Sequence, residues 1–217
     1  MSSSVAHPMW NVPNILSLSR IPLGIVLFAC IVYGAWLAGL IVFILAVLTD
    51  WLDGWWARRY GPMTSLGRSL DPLTDKVLIC GAFIYLIPVP DAGILPWMVT
   101  LVVCRELIVT GIRGLVESAG MKFGADWFGK LKTALQCAVL IGILLQQTLH
   151  DLTGRTDPWQ LGIVVIAITW AMLLATLGSG IQYIVKAVRL LSSSGENGGR
   201  PSTGGEAPRR SREDRRQ

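Results

Sequence analysis

Apolar residues in this chain come in long blocks, at residues 14–33, 35–57, 76–90, 95–116, 127–149 and 158–191. A helix crossing the hydrocarbon core of a bilayer needs about 20 apolar residues, and these runs are of that order. The pattern predicts an all-α, polytopic membrane protein with six transmembrane helices. The third run is short because the charges of residues 70–76 stand at its start, and the sixth is long enough to project beyond the lipid.

The flanks read differently. Residues 11–20 mix Asn14, Ser17 and Arg20 with Ile15, Leu16 and Leu18, which predicts a short interfacial N-terminal helix before the chain turns into lipid. Residues 192–217 are Ser, Gly, Pro and Arg with scattered Glu, too little apolar surface to offset the entropy of ordering. They are expected to form a disordered, Arg-rich cytoplasmic tail, so the domains divide as 1–191 and 192–217. Arg200, Arg209, Arg210, Arg212, Arg215 and Arg216 outnumber Glu196, Glu206, Glu213 and Asp214 there. That surplus would attract anionic membrane lipid weakly, or serve only as a solvated topology anchor.

Composition supports the membrane reading, since 52% of the 217 residues are hydrophobic and 15% charged, against about 25% charged in soluble domains. The net charge of +5 matters through its distribution. Arg20, Arg58, Arg59, Arg68, Lys76, Arg113, Lys122, Lys130, Lys132, Lys186 and Arg189 gather at alternate helix ends, while the loops around residues 33–36 and 88–96 carry none. Only Arg155 breaks the pattern. Cytoplasmic loops retain Lys and Arg, so both termini are expected in the cytoplasm, in a multi-pass protein of the inner (cytoplasmic) membrane. No cleaved signal is expected from the polar, proline-containing first residues, and no nucleic-acid partner is expected. Cys30, Cys80, Cys104 and Cys137 lie singly in apolar runs without CxxC spacing, which fits packing and not zinc or a disulfide frame. Most of the tryptophans read as interfacial anchors.

Ionisable residues near membrane depth are costly and usually functional, which singles out Asp50, Asp53, Asp71 and Asp75. Asp50 and Asp53 are three apart and Asp71 and Asp75 four apart, so each pair shares a helix face. Gly61, Pro62 and Gly67 mark the turn that brings the two helix ends together. Four carboxylates converging at the cytoplasmic boundary would repel one another unless cations neutralise them. An all-oxygen ligand set suits magnesium, manganese or calcium. Two ions about 3.5–4 Å apart can clamp a diphosphate and stabilise an in-line displacement at phosphorus. Arg58 would add a fixed positive charge.

Written out, the spacing is D-x2-D-G-x2-A-R-x8-G-x3-D-x3-D, from Asp50 through Gly54, Ala57, Arg58 and Gly67 to Asp75. It resembles the signature of the CDP-alcohol phosphatidyltransferase family. The resemblance implies a six-helix membrane fold, a cytoplasmic active site, two Mg2+ or Mn2+ ions and a CDP-linked lipid donor. It implies metal binding by Asp50, Asp53, Asp71 and Asp75, with Asp75 also the catalytic base. Gly54, Ala57, Arg58, Thr64 and Gly67 would accommodate the cytidine and diphosphate. Asn14, Ser17 and Arg20 resemble an N-x2-[ST]-x2-R element of the same family and join the CDP-lipid site. A homodimer is implied by the resemblance alone.

Within the family the likeness is closest to bacterial phosphatidylglycerophosphate synthases, over residues 70–76, over Cys104-Arg105-Glu106-Leu107 with Arg113, and over residues 129–133. It departs at Gly114, where an acidic residue often stands in that group. The implied reaction transfers the phosphatidyl group of CDP-diacylglycerol to sn-glycerol 3-phosphate and releases CMP. A phosphorylated acceptor needs cationic donors, and Arg105, Arg113, Lys130 and Lys132 are the candidates. Arg105 and Arg113 stand about 12 Å apart along one helix face, so Arg113 with one lysine is the expected clamp, leaving Arg105 to pair with an acidic residue. Inositol phosphate or another alcohol is the rival acceptor. A cation transporter is the rival class, disfavoured because the carboxylates gather at one face beside Arg58, Arg59 and Arg68. A prenyl-diphosphate enzyme would show a compact D-D-x-x-D block, which is absent.

Overall fold

The computed structural model describes residues 12–60, 65–118, 127–154 and 159–197. Within its helices, the side chains of residues 12–18, 53–60, 65–72, 117, 127–128, 159–160 and 190–197 are not among those described. The described residues form six helices and no strand: α1 Val12–Val32, α2 Trp36–Tyr60, α3 Ser65–Leu86, α4 Pro96–Ser118, α5 Trp127–Thr153 and α6 Trp159–Asn197. Each predicted apolar run falls on one of them.

The ends differ from expectation in two places. Among the described residues no separate interfacial helix precedes the first apolar run, because residues 12–20 and that run form one uninterrupted α1 with Pro22 inside it. Pro22 lacks only one intrahelical donor, whereas two short helices would each need a costly nucleus. At the other end α6 runs on to Asn197, so residues 192–197 of the expected tail are helical. Extending an existing helix needs no new nucleus. The rest of the tail, residues 198–217, lies outside the described residues.

Going round the bundle, α2 packs on α1, α1 on α3, α3 on α4, α4 on α6, α6 on α5, and α5 back on α2. A weaker contact between α3 and α5 crosses this ring. Leu27, Phe43, Phe83, Leu86, Leu140, Ile143 and Leu144 fill the interior. The turn from α1 to α2 needs a left-handed residue, supplied by Gly34 at φ 69°. There the Ala35 N–H donates to Cys30 O at 2.8 Å and the Gly34 N–H to Ile31 O at 3.2 Å, which satisfies the last carbonyls of α1.

The outside of the bundle is apolar, with Ile25, Leu107, Leu115, Leu174, Ile181 and Val188 each more than half exposed. Two of the described helical stretches are long and apolar enough to cross a membrane, Gly129–Thr153 at mean hydropathy 1.3 and Leu161–Arg189 at 2.3. Ser19–Val32 and Trp36–Leu52 are shorter apolar stretches. An apolar exterior of this extent fits lipid as solvent.

Candidate active site

The contacts of α1 with α2 and α3 bring Arg20, Asp50 and Asp75 together. Arg20 lies on the first half of α1 at 1% exposure, and its Nη2 is 2.9 Å from Oδ1 of Asp50, which is 52% exposed. Asp75, on α3 just before the third apolar run, is half-buried. Burial pushes its carboxyl up to about 6, and the charge of Asp50 adds to the rise, while Arg20 and Lys132 oppose it. A carboxylate that burial and a second carboxylate both disfavour is one that a cation would stabilise.

Asp53 and Asp71 stand on helical backbone, three residues after Asp50 and four before Asp75, and their side chains are outside the described set. Among the described residues no group of three or more His, Cys, Asp or Glu is placed to hold a metal. The described part of the site is two carboxylates from different helices. Its all-oxygen donor chemistry fits a hard divalent ion. Asn14, Ser17, Gly54, Ala57, Arg58 and Gly67 likewise lie on described helices without described side chains, and Thr64 lies outside the described residues altogether.

The acceptor candidates separate in space. Three of them, Arg105, Arg113 and Lys132, belong to a polar cluster between α3, α4, α5 and α6. Its centre is Glu106 on α4, 5% exposed. Oε1 of Glu106 accepts from Lys132 Nζ, from Arg105 Nη1 at 3.1 Å and from Gln136 Nε2 at 3.5 Å. Arg105 Nη2 also donates to Ser179 Oγ on α6 at 2.8 Å. Lys76 of α3 donates to Thr110 Oγ1, which donates to the backbone oxygen of Glu106 at 2.6 Å. Arg113 Nη2 donates to the Tyr183 hydroxyl at 2.8 Å. The Arg105 and Arg113 guanidiniums both lie near the Tyr183 ring, 5.9 and 5.6 Å from its centroid.

Lys130 does not join this cluster. It is exposed, and at two residues from Lys132 it stands on another side of α5. The expected pairing of Arg105 with an acidic residue is present, to Glu106. Sequence reasoning missed Gln136, Ser179 and Tyr183. Gln136 follows Lys132 by one helical turn, which is a usable signal, whereas nothing local points to Ser179 or Tyr183.

The family model for CDP-alcohol phosphatidyltransferase matches residues 10–181. A Bacillus subtilis (strain 168) protein named CDP-diacylglycerol–glycerol-3-phosphate 3-phosphatidyltransferase is 34% identical over 201 residues, covering 86% of this chain and 100% of that protein. A Mycobacterium tuberculosis (strain H37Rv) protein named probable phosphatidylglycerophosphate synthase is 37% identical over 186 residues, covering 82% of each. A Shigella flexneri serotype 5b relative, named as the Bacillus protein is, is 31% identical over 187 residues, covering 82% of this chain and 95% of the relative.

Proposed function

Because this chain belongs to the CDP-alcohol phosphatidyltransferase family, we propose that it catalyses transfer of the phosphatidyl group of CDP-diacylglycerol to sn-glycerol 3-phosphate, giving phosphatidylglycerol phosphate and CMP. The observation that carries the reading is the agreement of relatives named for this reaction over more than four-fifths of the chain. The placement of Asp75 beside Asp50, with Arg105, Arg113 and Lys132 on the adjoining helices, supports it.

The acceptor hydroxyl gives its proton to Asp75 as its oxygen attacks the phosphorus that carries the diacylglycerol. The bond from that phosphorus to the bridging oxygen breaks, and CMP leaves with the bridging oxygen. Asp50, Asp53, Asp71 and Asp75 would hold two magnesium or manganese ions, which supply charge neutralisation for the diphosphate. Arg20 orients Asp50 through their ion pair. Asn14, Ser17, Arg20, Arg58, Thr64 and the small residues Gly54, Ala57 and Gly67 are assigned to the CDP-lipid. Arg105, Arg113 and Lys132 are assigned to the acceptor phosphate, and Lys130, on another side of α5, is left outside that group.

In this reading all six helices span the membrane, both termini and the active site face the cytoplasm, the protein works as a homodimer, and residues 198–217 form a disordered basic tail. The positive residues at alternate helix ends and the apolar exterior support that placement. The test is an acceptor panel with purified protein in detergent and CDP-diacylglycerol. CMP release with sn-glycerol 3-phosphate and a phosphatidylglycerol phosphate product are expected. Turnover with an unphosphorylated alcohol or inositol phosphate, and none with glycerol 3-phosphate, overturns the acceptor assignment.

A further inference from the structure

The cluster around Glu106 spans a gap in the bundle. Among the described residues no Cα of α4 lies within 8 Å of a Cα of α5. Across that gap, side chains alone join the two helices, Glu106 to Lys132 and Gln136, each at most 5% exposed. Cations gather at Glu106: Lys132 and Arg105 on its carboxylate, and Lys76 linked through the Thr110 hydroxyl to its backbone oxygen. Arg113 adds a fourth cation at Tyr183 and Asp75 a second carboxylate near Lys132, so four cations against two carboxylates leave a surplus of two positive charges. A phosphate monoester near neutral pH carries about 1.5 to 2 negative charges, which closes that balance.

Burying like charges without a counter-ion is costly, and the Glu106 carboxylate occupies donors that a phosphate would otherwise take. We propose that Glu106 is a tethered counter-anion that competes with the phosphate of acceptor and product for Lys132 and Arg105, making it a positioning residue that limits phosphate affinity. The inference rests on the acceptor-phosphate reading above. Acceptor and product carry the same phosphomonoester, so a site without Glu106 would hold both too tightly. Returning Lys132 and Arg105 to Glu106 helps the phosphate to leave. This role predicts an effect opposite in sign to that of a residue that merely builds the site.

The experiment uses the full-length protein in detergent and measures steady-state CMP release with inhibition by inorganic phosphate. In Glu106→Gln, which keeps the shape and removes the charge, the KM for glycerol 3-phosphate and the phosphate inhibition constant should each fall about tenfold, in line with loss of one nearby like charge. kcat should fall as product release slows, and the KM for CDP-diacylglycerol should stay unchanged. Gln136→Glu adds a carboxylate beside Lys132 and should weaken phosphate inhibition by about the same factor; it keeps the test alive if Glu106→Gln does not fold. Unchanged or weakened phosphate inhibition in Glu106→Gln, or unchanged or strengthened inhibition in Gln136→Glu, overturns the proposal. If the wild-type protein neither uses glycerol 3-phosphate nor is inhibited by phosphate, the acceptor reading itself fails and the role of Glu106 goes with it. A phosphate-sensitive wild type with unresponsive variants removes only the role of Glu106.

Discussion

Gly81→Ala probes the contact that sets α1 against α3, and its size can be worked from distances. A Cβ at Gly81 would lie 2.3 Å from Phe28 Cζ and 2.9 Å from Phe28 Cε1. Non-bonded carbons settle at about 3.5–4.0 Å, so the ring would have to withdraw by about 1 Å or more. It is not a loose end, because it stacks on Tyr85 of α3 at 4.9 Å between centroids and 10° between planes. Its neighbours on α1, Leu27 and Ile31, are buried in the core. Overpacking of this kind costs about 1–3 kcal/mol. Alanine recovers about 0.8–1.0 kcal/mol over glycine from helix propensity. An approach this close belongs in the upper half of the overpacking range, leaving a net loss of about 1–2 kcal/mol. Gly111→Ala on α4 is the control, since a Cβ there meets nothing within 4 Å and keeps the propensity gain. Phe28→Leu in the Gly81→Ala background removes the ring and should restore most of the loss. Reversible unfolding in detergent, followed by helicity, measures all four proteins. Turnover measured alongside should fall in Gly81→Ala, because α1 carries Arg20 and α3 carries Asp75. A Gly81→Ala protein as stable as Gly111→Ala would refute the close approach of the two helices.

The other predictions concern the chemistry. Excess chelator should abolish CMP release and added magnesium or manganese restore it, because the proposed ligands are all carboxylate oxygens; full turnover in chelator would remove the two-metal reading. Asp75→Asn should lower turnover by at least about a hundredfold while metal and CDP-lipid binding, measured separately, persist; near-normal turnover would assign the base elsewhere. Arg113→Ala should lower kcat/KM for the acceptor by about 1.5–3 kcal/mol and leave the KM for CDP-diacylglycerol in place. Equal losses for both substrates in that variant would mean that Arg113 supports the fold and not the acceptor phosphate.

How much of this was legible before any coordinates follows from the range of each interaction. Six helices could be read because a long apolar run bounded by polar breaks declares its element locally, and a helix satisfies its backbone within itself. The aspartate pairs rest on the same locality: spacings of three and four imply a shared face wherever the helix lies. The helix ends were less legible, and α1 absorbed the expected interfacial segment because no local signal outweighed propagation through Pro22. The partners of Arg105, Arg113 and Lys132 lay further out of reach. Glu106 meets Lys132 from 26 residues away, Arg113 meets Tyr183 from 70 and Arg105 meets Ser179 from 74. Such pairings depend on how each helix is rotated about its axis and which neighbour it faces, and apolar periodicity within each of the six helices leaves both open. The sequence by itself determined the helices, the spacing of the aspartates along them and the family. Only the tertiary structure decided the ring order of the helices, the seating of Arg20 against Asp50 and the gap across which Glu106 holds Lys132, because those follow from packing between helices and not from the periodicity within any one of them.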